Sequence, residues 1–333
     1  MTNTNLKSAP SPTPLPQEER ALSRAEDFIA MGHTPMMAQY HAVKAAHPDC
    51  LLFYRMGDFY EMFFDDAVVG AKILDLTLTK RGKTQGDDIP MCGVPFHASE
   101  GYIARLIRAG HKVAICEQIE TPEQAKQRGG AKALVRREVI RIITAGTLIE
   151  DHLLDSKSNN YLAAMVDING QTGLAFADVS TGEFLLQNLP QSEASAALQR
   201  LAPSEIICKE KLSLAYDLDG ITSIQPAGFF DTATGIQKLA ALFDIPEDDL
   251  SQKFSRAEMA AANALLHYID ETQKGQIPYL SAPQRIESYK TVDFDPSTFR
   301  SLELVKTQSG DRHGSLIDLL DIAQTGAGSD GRW

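Results

Sequence analysis

The sequence predicts a mixed α/β protein, with an α/β first domain, a second domain that is α+β or α/β, and part of a third. Three observations predict it. The chain has 333 residues, which suits two domains or two and part of a third. Its first half alternates short apolar runs of strand length with amphipathic helical stretches. From Asn160 onward the texture changes to consecutive strand-like segments, followed by a helix, a strand and an Ala-rich helix.

Taken in order, residues 1–16 are rich in Pro, Ser, Thr and Asn (SAPSPTPLP) and carry too little apolar surface to order themselves, so a flexible tail is expected over about 1–30. Thr34 is a good N-cap and Pro35 a good first helical residue, and the helix should stop near His47-Pro48. Leu51 to Met56 (LLFYRM) reads as a buried strand, interrupted at Gly57-Asp58 as by a bulge. The stretch from Phe59 to Leu74 fits either a helical stripe or period-two alternation. Extended chain to about Phe64 with a helix from an Asp65 N-cap is preferred. The choice matters, because on a strand Phe59 and Glu61 share a face, whereas on a helix they point about 200° apart.

Thr77 to His97 is Gly- and Pro-bearing and hairpin-like. A helix is expected over Ser99 to Ala109 and a strand over Lys112 to Glu117. Gln124 to Ala133 should be a mobile loop, and Arg136 to Thr144 a closing strand. In the second half YLAAMVDI, a turn at Asn169-Gly170, GLAFADVST and GEFLLQNL read as antiparallel strands. A helix (Glu193 to Leu201), a strand (Glu205 to Cys208) and a helix (about Arg256 to Glu271) follow. Asp295-Pro296 should cap TFRSLEL, and Gly314 to Ala323 supplies a further short helix. The domains are therefore placed at 31–148, 155–285 and 290–333.

The composition is 43% hydrophobic and 23% charged, in the ordinary globular range. No apolar run has membrane-span length and no signal peptide is visible, so a cytoplasmic protein with no membrane partner is expected. Cys50, Cys92, Cys116 and Cys208 lie far apart without a CxxC pair, which argues against a zinc ribbon or a disulfide framework. The net charge of −12 weighs against nucleic acid. The local balance softens that objection: residues 33–146 carry +2 and those from 147 onward −13.

Several motifs fail on context. Gly82-Lys83-Thr84 resembles the end of a phosphate-binding loop, but the glycine required five residues earlier is Thr77. Gly326 to Gly331 fits G-x-G-x-x-G without the preceding strand and following helix of a dinucleotide site. His97 and His111 belong to no metal pattern. Asp167 and Asp178 could suggest a two-metal nuclease, yet further converging acids cannot be assembled from the sequence. Lys80-Arg81 and Arg136-Arg137 are basic pairs suited to surface or phosphate contact. By spacing alone, Phe59-Tyr60-Glu61 would be core.

The run HTPMMAQYHAVK, LLFYRMGDFYEMFFDDA, LTLTKRG, IPMCGVPFHA, VAICEQIE and RREVIRIITAGT closely resembles the mismatch-binding domain of the MutS family, in order and spacing over about 33–150. More loosely, NNYLAAM and DVSTGEF resemble its RNase H-like connector domain, and DFDPSTFRSLEL with SLIDLLDIAQTGAGS resembles the opening of its helical core. The resemblance implies recognition of mismatched or unpaired bases in double-stranded DNA. The Phe of the family's Phe-x-Glu motif, here Phe59, wedges into the minor groove and stacks on the base, and Glu61 hydrogen-bonds it. It further implies supporting contacts from Arg81 and Met91, and Lys80 is a plausible phosphate partner. A homodimer and a MutL-type repair partner are implied for the full-length family, as is an ATPase using ATP and Mg. Its P-loop region is not among these residues, so no enzyme activity and no cofactor is expected of this chain. The alternatives are a metal-dependent nuclease of RNase H type and an interaction-only fragment.

Overall fold

The computed structural model describes residues 25–84, 87–130, 132–149, 159–210, 219–286, 298, 301–305 and 307–320. The chain forms two compact units, Met1–Val94 with Cys116–Val139, and Pro95–Ile115 with Ile140–Trp333.

In the first unit, helix α1 (Pro35–Ala46) starts where the cap predicts, with Thr34 Oγ1 accepting from the Met37 N–H at 3.4 Å. Strand β1 (Cys50–Met56) turns directly into β2 (Phe59–Phe63). Their antiparallel register is Tyr54↔Glu61, Arg55↔Tyr60 and Met56↔Phe59. Gly57-Asp58 is thus a two-residue hairpin turn and not the expected bulge, and Gly57 takes the positive φ of 61° that such a turn demands. Helix α2 (Phe64–Leu74) begins one residue earlier than expected: Asp65 and Asp66 lie in its first turn, and no side chain caps it.

Strands β3 (Thr79–Thr84) and β4 (Asp87–Pro95) form a hairpin beside β2. With β5 (Lys112–Gln118) and β6 (Arg137–Ile143), the sheet order is β3-β4-β2-β1-β5-β6. Helix α3 (Ser99–Arg108) precedes β5 and belongs to the second unit. The expected loop at Gln124 to Ala133 is mostly helix α4 (Pro122–Gly129). Its start is a capping box in which Thr121 Oγ1 accepts from the Gln124 N–H and Gln124 Oε1 from the Thr121 N–H.

The two faces of β2 pack differently. Met62 lies under α2, where a Cβ on Gly70 would stand 2.7 Å from the Met62 sulfur. On the other face the Phe63 ring meets Tyr40 of α1 edge-on at 5.1 Å. Asp66 ties the elements together, accepting from Lys44 Nζ at 2.8 Å and from the Leu52 N–H at 3.0 Å.

In the second unit β7 (Tyr161–Ile168), β8 (Gln171–Asp178) and β9 (Glu183–Pro190) are antiparallel neighbours, with the expected tight turn at Asn169-Gly170. β10 (Glu205–Cys208) runs parallel to β7, and β11 (Thr222–Ile224) parallel to β10, giving the order β11-β10-β7-β8-β9-β12 with β12 at Gln284–Arg285. The sheet is therefore mixed: three antiparallel strands carry two parallel ones beside the first. Strand alternation splits its core in two. Leu162, Ala164 and Val166 belong to one cluster, with α8 (Arg256–Thr272), and Tyr161, Ala163 and Met165 to the other, with α5 (Ala194–Leu201). Helices α6 (Thr232–Phe243) and α7 (Glu247–Lys253) complete the first side.

Residues 25–30, assigned to the tail, are helical. The tail before them, the cap at Asp295-Pro296 and the Gly326 to Gly331 motif lie outside the described residues. Of the last expected helix, Leu316–Leu320 is present as α9. No described helix is long and apolar enough to cross a membrane.

Candidate nucleic-acid interface

Strand β2 carries five consecutive large residues (FYEMF), and their exposure separates them. Tyr60, Met62 and Phe63 are buried, whereas Phe59 is 47% exposed. The hairpin accounts for this. Phe59 pairs with Met56 directly beyond the turn, at the end of the strand. Tyr60 points the opposite way, its ring tilted against Phe53 with centroids 5.7 Å apart and its hydroxyl donating to Glu117. The expectation of core for Phe59, drawn from spacing alone, therefore fails. The expectation of extended chain through Tyr60 holds, and Phe59 and Glu61 share a face.

Glu61 is half-buried, and burial raises its pKa above the ordinary carboxyl value. Two cations oppose that rise: Arg81, whose Nη1 donates to Glu61 Oε2, and more weakly Arg137. Beside Glu61 lies Gly93 of β4, where a Cβ would stand 3.6 Å from the Glu61 Cγ. Gly93 was not among the residues singled out from the sequence, and nothing in its local context marks it.

Arg81 reaches Glu61 from a bulge. β3 pairs Lys80 with Pro90 but Lys83 with Asp88, so two residues, Arg81 and Gly82, oppose one. Gly82 supplies the positive φ of 67°. Gly82-Lys83-Thr84 is thus part of a bulged strand, in keeping with its rejection as a phosphate loop. Lys80 is exposed and donates to Asp88 Oδ2 at 2.6 Å. Met91 is partly buried on β4, its carbonyl accepting from Thr79 Oγ1 at 3.0 Å.

Arg137 corrects the phosphate-contact reading of its basic pair. It is 8% exposed, donates to the Arg55 carbonyl at 2.7 Å and the Val135 carbonyl at 2.9 Å, and lies 5.0 Å from the centre of the Tyr54 ring. It is a buried strut. Its neighbour Arg136 is half-buried, its N–H donating to Glu120 at 2.8 Å.

The nuclease candidates are committed elsewhere. Asp178 is 1% exposed, and its oxygens accept from the Asn160 N–H, the Ser180 N–H and the Ser180 hydroxyl at 2.6–2.9 Å. Asp167 accepts from Thr172 and Gln191. Among the described residues no three His, Cys, Asp or Glu side chains converge as metal ligands. The four cysteines are buried and free.

The family description MutS domain I matches residues 34–152, and MutS domain II matches 160–281. The chain is 47% identical over 301 residues to a protein named DNA mismatch repair protein MutS from Roseobacter denitrificans, covering 89% of this chain and 34% of that protein. A protein of the same name from Ruegeria sp. is 47% identical over 306 residues, 90% of this chain and 35% of its own length. One from Nitrobacter winogradskyi is 47% identical over 306 residues. The chain spans about a third of the length of these relatives. On the two matched domains and the sustained identity, this chain belongs to the MutS family.

Proposed function

We propose that this chain binds mismatched or unpaired bases in double-stranded DNA, as part of mismatch repair, with Phe59 as an aromatic wedge in the minor groove and Glu61 bonding the displaced base. The observation that carries the reading is the exposed Phe59 ring on an otherwise buried strand, on the same face as a half-buried carboxyl group.

Inserting a wedge unstacks a base step at a cost of a few kcal/mol. A mismatched or bulged base is already poorly held, so the cost falls there. Stacking on an aromatic ring returns about 1–3 kcal/mol whichever base is present. The protein thereby reads deformability instead of sequence.

Glu61 adds discrimination. A carboxylate is repelled by phosphates, whereas a protonated carboxyl group can donate to a purine ring nitrogen. Burial already favours the neutral form, and the field of the DNA favours it further. Lys80 and Met91 are assigned supporting contacts on the hairpin next to β2. Dimer formation, ATP and Mg use and a MutL-type partner are assigned to the longer family members, and no catalytic role is assigned to this chain.

The test is fluorescence anisotropy with a single-base-bulge or G·T duplex and its matched control. The chain should prefer the defective duplex, and Phe59→Ala should abolish the preference. Survival of the preference in Phe59→Ala would overturn the assignment. Cleavage of DNA in Mg²⁺ or Mn²⁺ would instead favour a nuclease.

A further inference from the structure

Two cations act on Glu61, and they differ in freedom. Arg137 is buried and fixed by two backbone carbonyls and by the Tyr54 ring. Arg81 sits on the outermost strand, at a bulge, with 39% of its side chain exposed. The other neighbours of Glu61 leave its carboxyl group to Arg81. Tyr54, its cross-strand partner on β1, donates its hydroxyl to Gln39 of α1, and β4 offers Gly93, which has no side chain.

We propose that Arg81 is a latch on Glu61: it holds the carboxylate in the DNA-free protein, must release it before Glu61 can bond a base, and then transfers its guanidinium to a DNA phosphate. This rests on the reading of Glu61 as the base-bonding group and adds a threshold to it. The Glu61 carboxylate holds the Arg81 side chain against β2 and offsets the positive charge that would attract a phosphate, so the two anions compete for Arg81. On matched duplex Glu61 has no base to bond, and the latch stays closed. At a defect Glu61 takes up a proton and loses its need for a cation. Arg81 is then a specificity-determining residue that never touches the mismatch.

The latch predicts a direction for pH. If binding a defective duplex takes up a proton at Glu61, affinity is flat below the titration midpoint of Glu61 in the free protein and falls as pH rises above it. Removing Arg81 removes the cation that holds that midpoint down, so the onset of the fall moves to higher pH.

Two measurements test this. In the DNA-free chain, the Glu61 carboxyl carbon is titrated by NMR, assigned through Glu61→Gln, in wild type, Arg81→Gln and Arg81→Lys. The midpoint should rise by about one pH unit or more in Arg81→Gln, and Arg81→Lys should restore part of it. Anisotropy with bulged and matched duplexes from pH 5.5 to 8.5 should then show the onset for the bulged duplex shifted upward by the same amount, with the matched duplex unshifted. An unmoved Glu61 midpoint overturns the latch. So does an equal loss of affinity for both duplexes with an unmoved onset, which would make Arg81 a plain phosphate contact. If the wild type shows no preference for the bulged duplex, the functional reading and the transfer step fail together. The DNA-free titration still decides whether Arg81 holds Glu61.

Discussion

Gly173 of β8 lies against the backbone of Ala257 at the start of α8: a Cβ on Gly173 would stand 2.1 Å from the Ala257 carbonyl carbon and 2.6 Å from the Glu258 nitrogen. Backbone cannot step aside as a flexible side chain can, so the strand and helix would have to separate. Gly173→Ala is expected to destabilise the chain by about 3 kcal/mol, read as a lower urea midpoint. Gly101 of α3 is the contrast, with nothing within 4 Å of its added Cβ. Gly101→Ala should stabilise by about 0.5–1 kcal/mol, through the lost freedom of the unfolded chain.

Phe59→Ala separates folding from binding. Because the ring is 47% exposed and outside the core, its removal should change stability by no more than about 0.5 kcal/mol. The loss should appear in the ratio of bulged to matched affinity. A drop of several kcal/mol in stability would instead mean that the ring packs as core.

Glu205 of β10 gathers a polar knot in the second unit. Its carboxylate accepts from the Tyr268 hydroxyl at 2.6 Å, the Ser223 hydroxyl at 2.7 Å, the Gly146 N–H at 3.2 Å and the Thr144 hydroxyl, with Lys112 Nζ at 3.7 Å. Breaking a buried network by removing one partner leaves the others unsatisfied and costs about 3–5 kcal/mol. Glu205→Ala should show that loss in thermal or urea unfolding, and Glu205→Gln, which keeps the shape, should lose less.

Glu120 gives a pH signature. Its bidentate bonds from Arg128, at 2.6 and 3.1 Å, together with the Arg136 N–H at 2.8 Å, hold its carboxyl at about 2. A depressed carboxyl stabilises the fold above its ordinary value of 4.5, and that contribution is lost as pH falls through about 2. Carboxyl-carbon NMR should place the Glu120 midpoint near 2. A midpoint near 4.5 would mean that the Arg128 fork is not maintained in solution.

Local chemistry carried most of this fold into the sequence. Thr34-Pro35 specified a helix start, Asn169-Gly170 specified a hairpin, and strand periodicity placed Phe59 and Glu61 on one face. The misses have local causes too. Gly57-Asp58 looks like a bulge because the apolar run continues beyond it, although Asp after Gly between two strands also suits a tight turn. The helix at Pro122–Gly129 was hidden by its polar, Gly-ended composition, although its Thr-Pro-Glu-Gln start is a capping signal. What no local signal could give was the pairing across the sheet. Arg81 and Glu61 are twenty residues apart and meet where β3 carries a bulge. Arg137 is buried only because Tyr54 and two carbonyls converge on it.

The position of Phe59 on a strand, and not on a loop, has a mechanical consequence. An instrument that gauges softness must be stiffer than its sample, or its own yielding is recorded as the sample's. β2 is an inner strand, bonded on both sides by β1 and β4, and the residues behind Phe59 are fixed in the core. Pressed against a duplex, such a stylus leaves the base step as the element that must give. In the proposed wedge role, differences between sound and damaged DNA would then register in the DNA's own compliance.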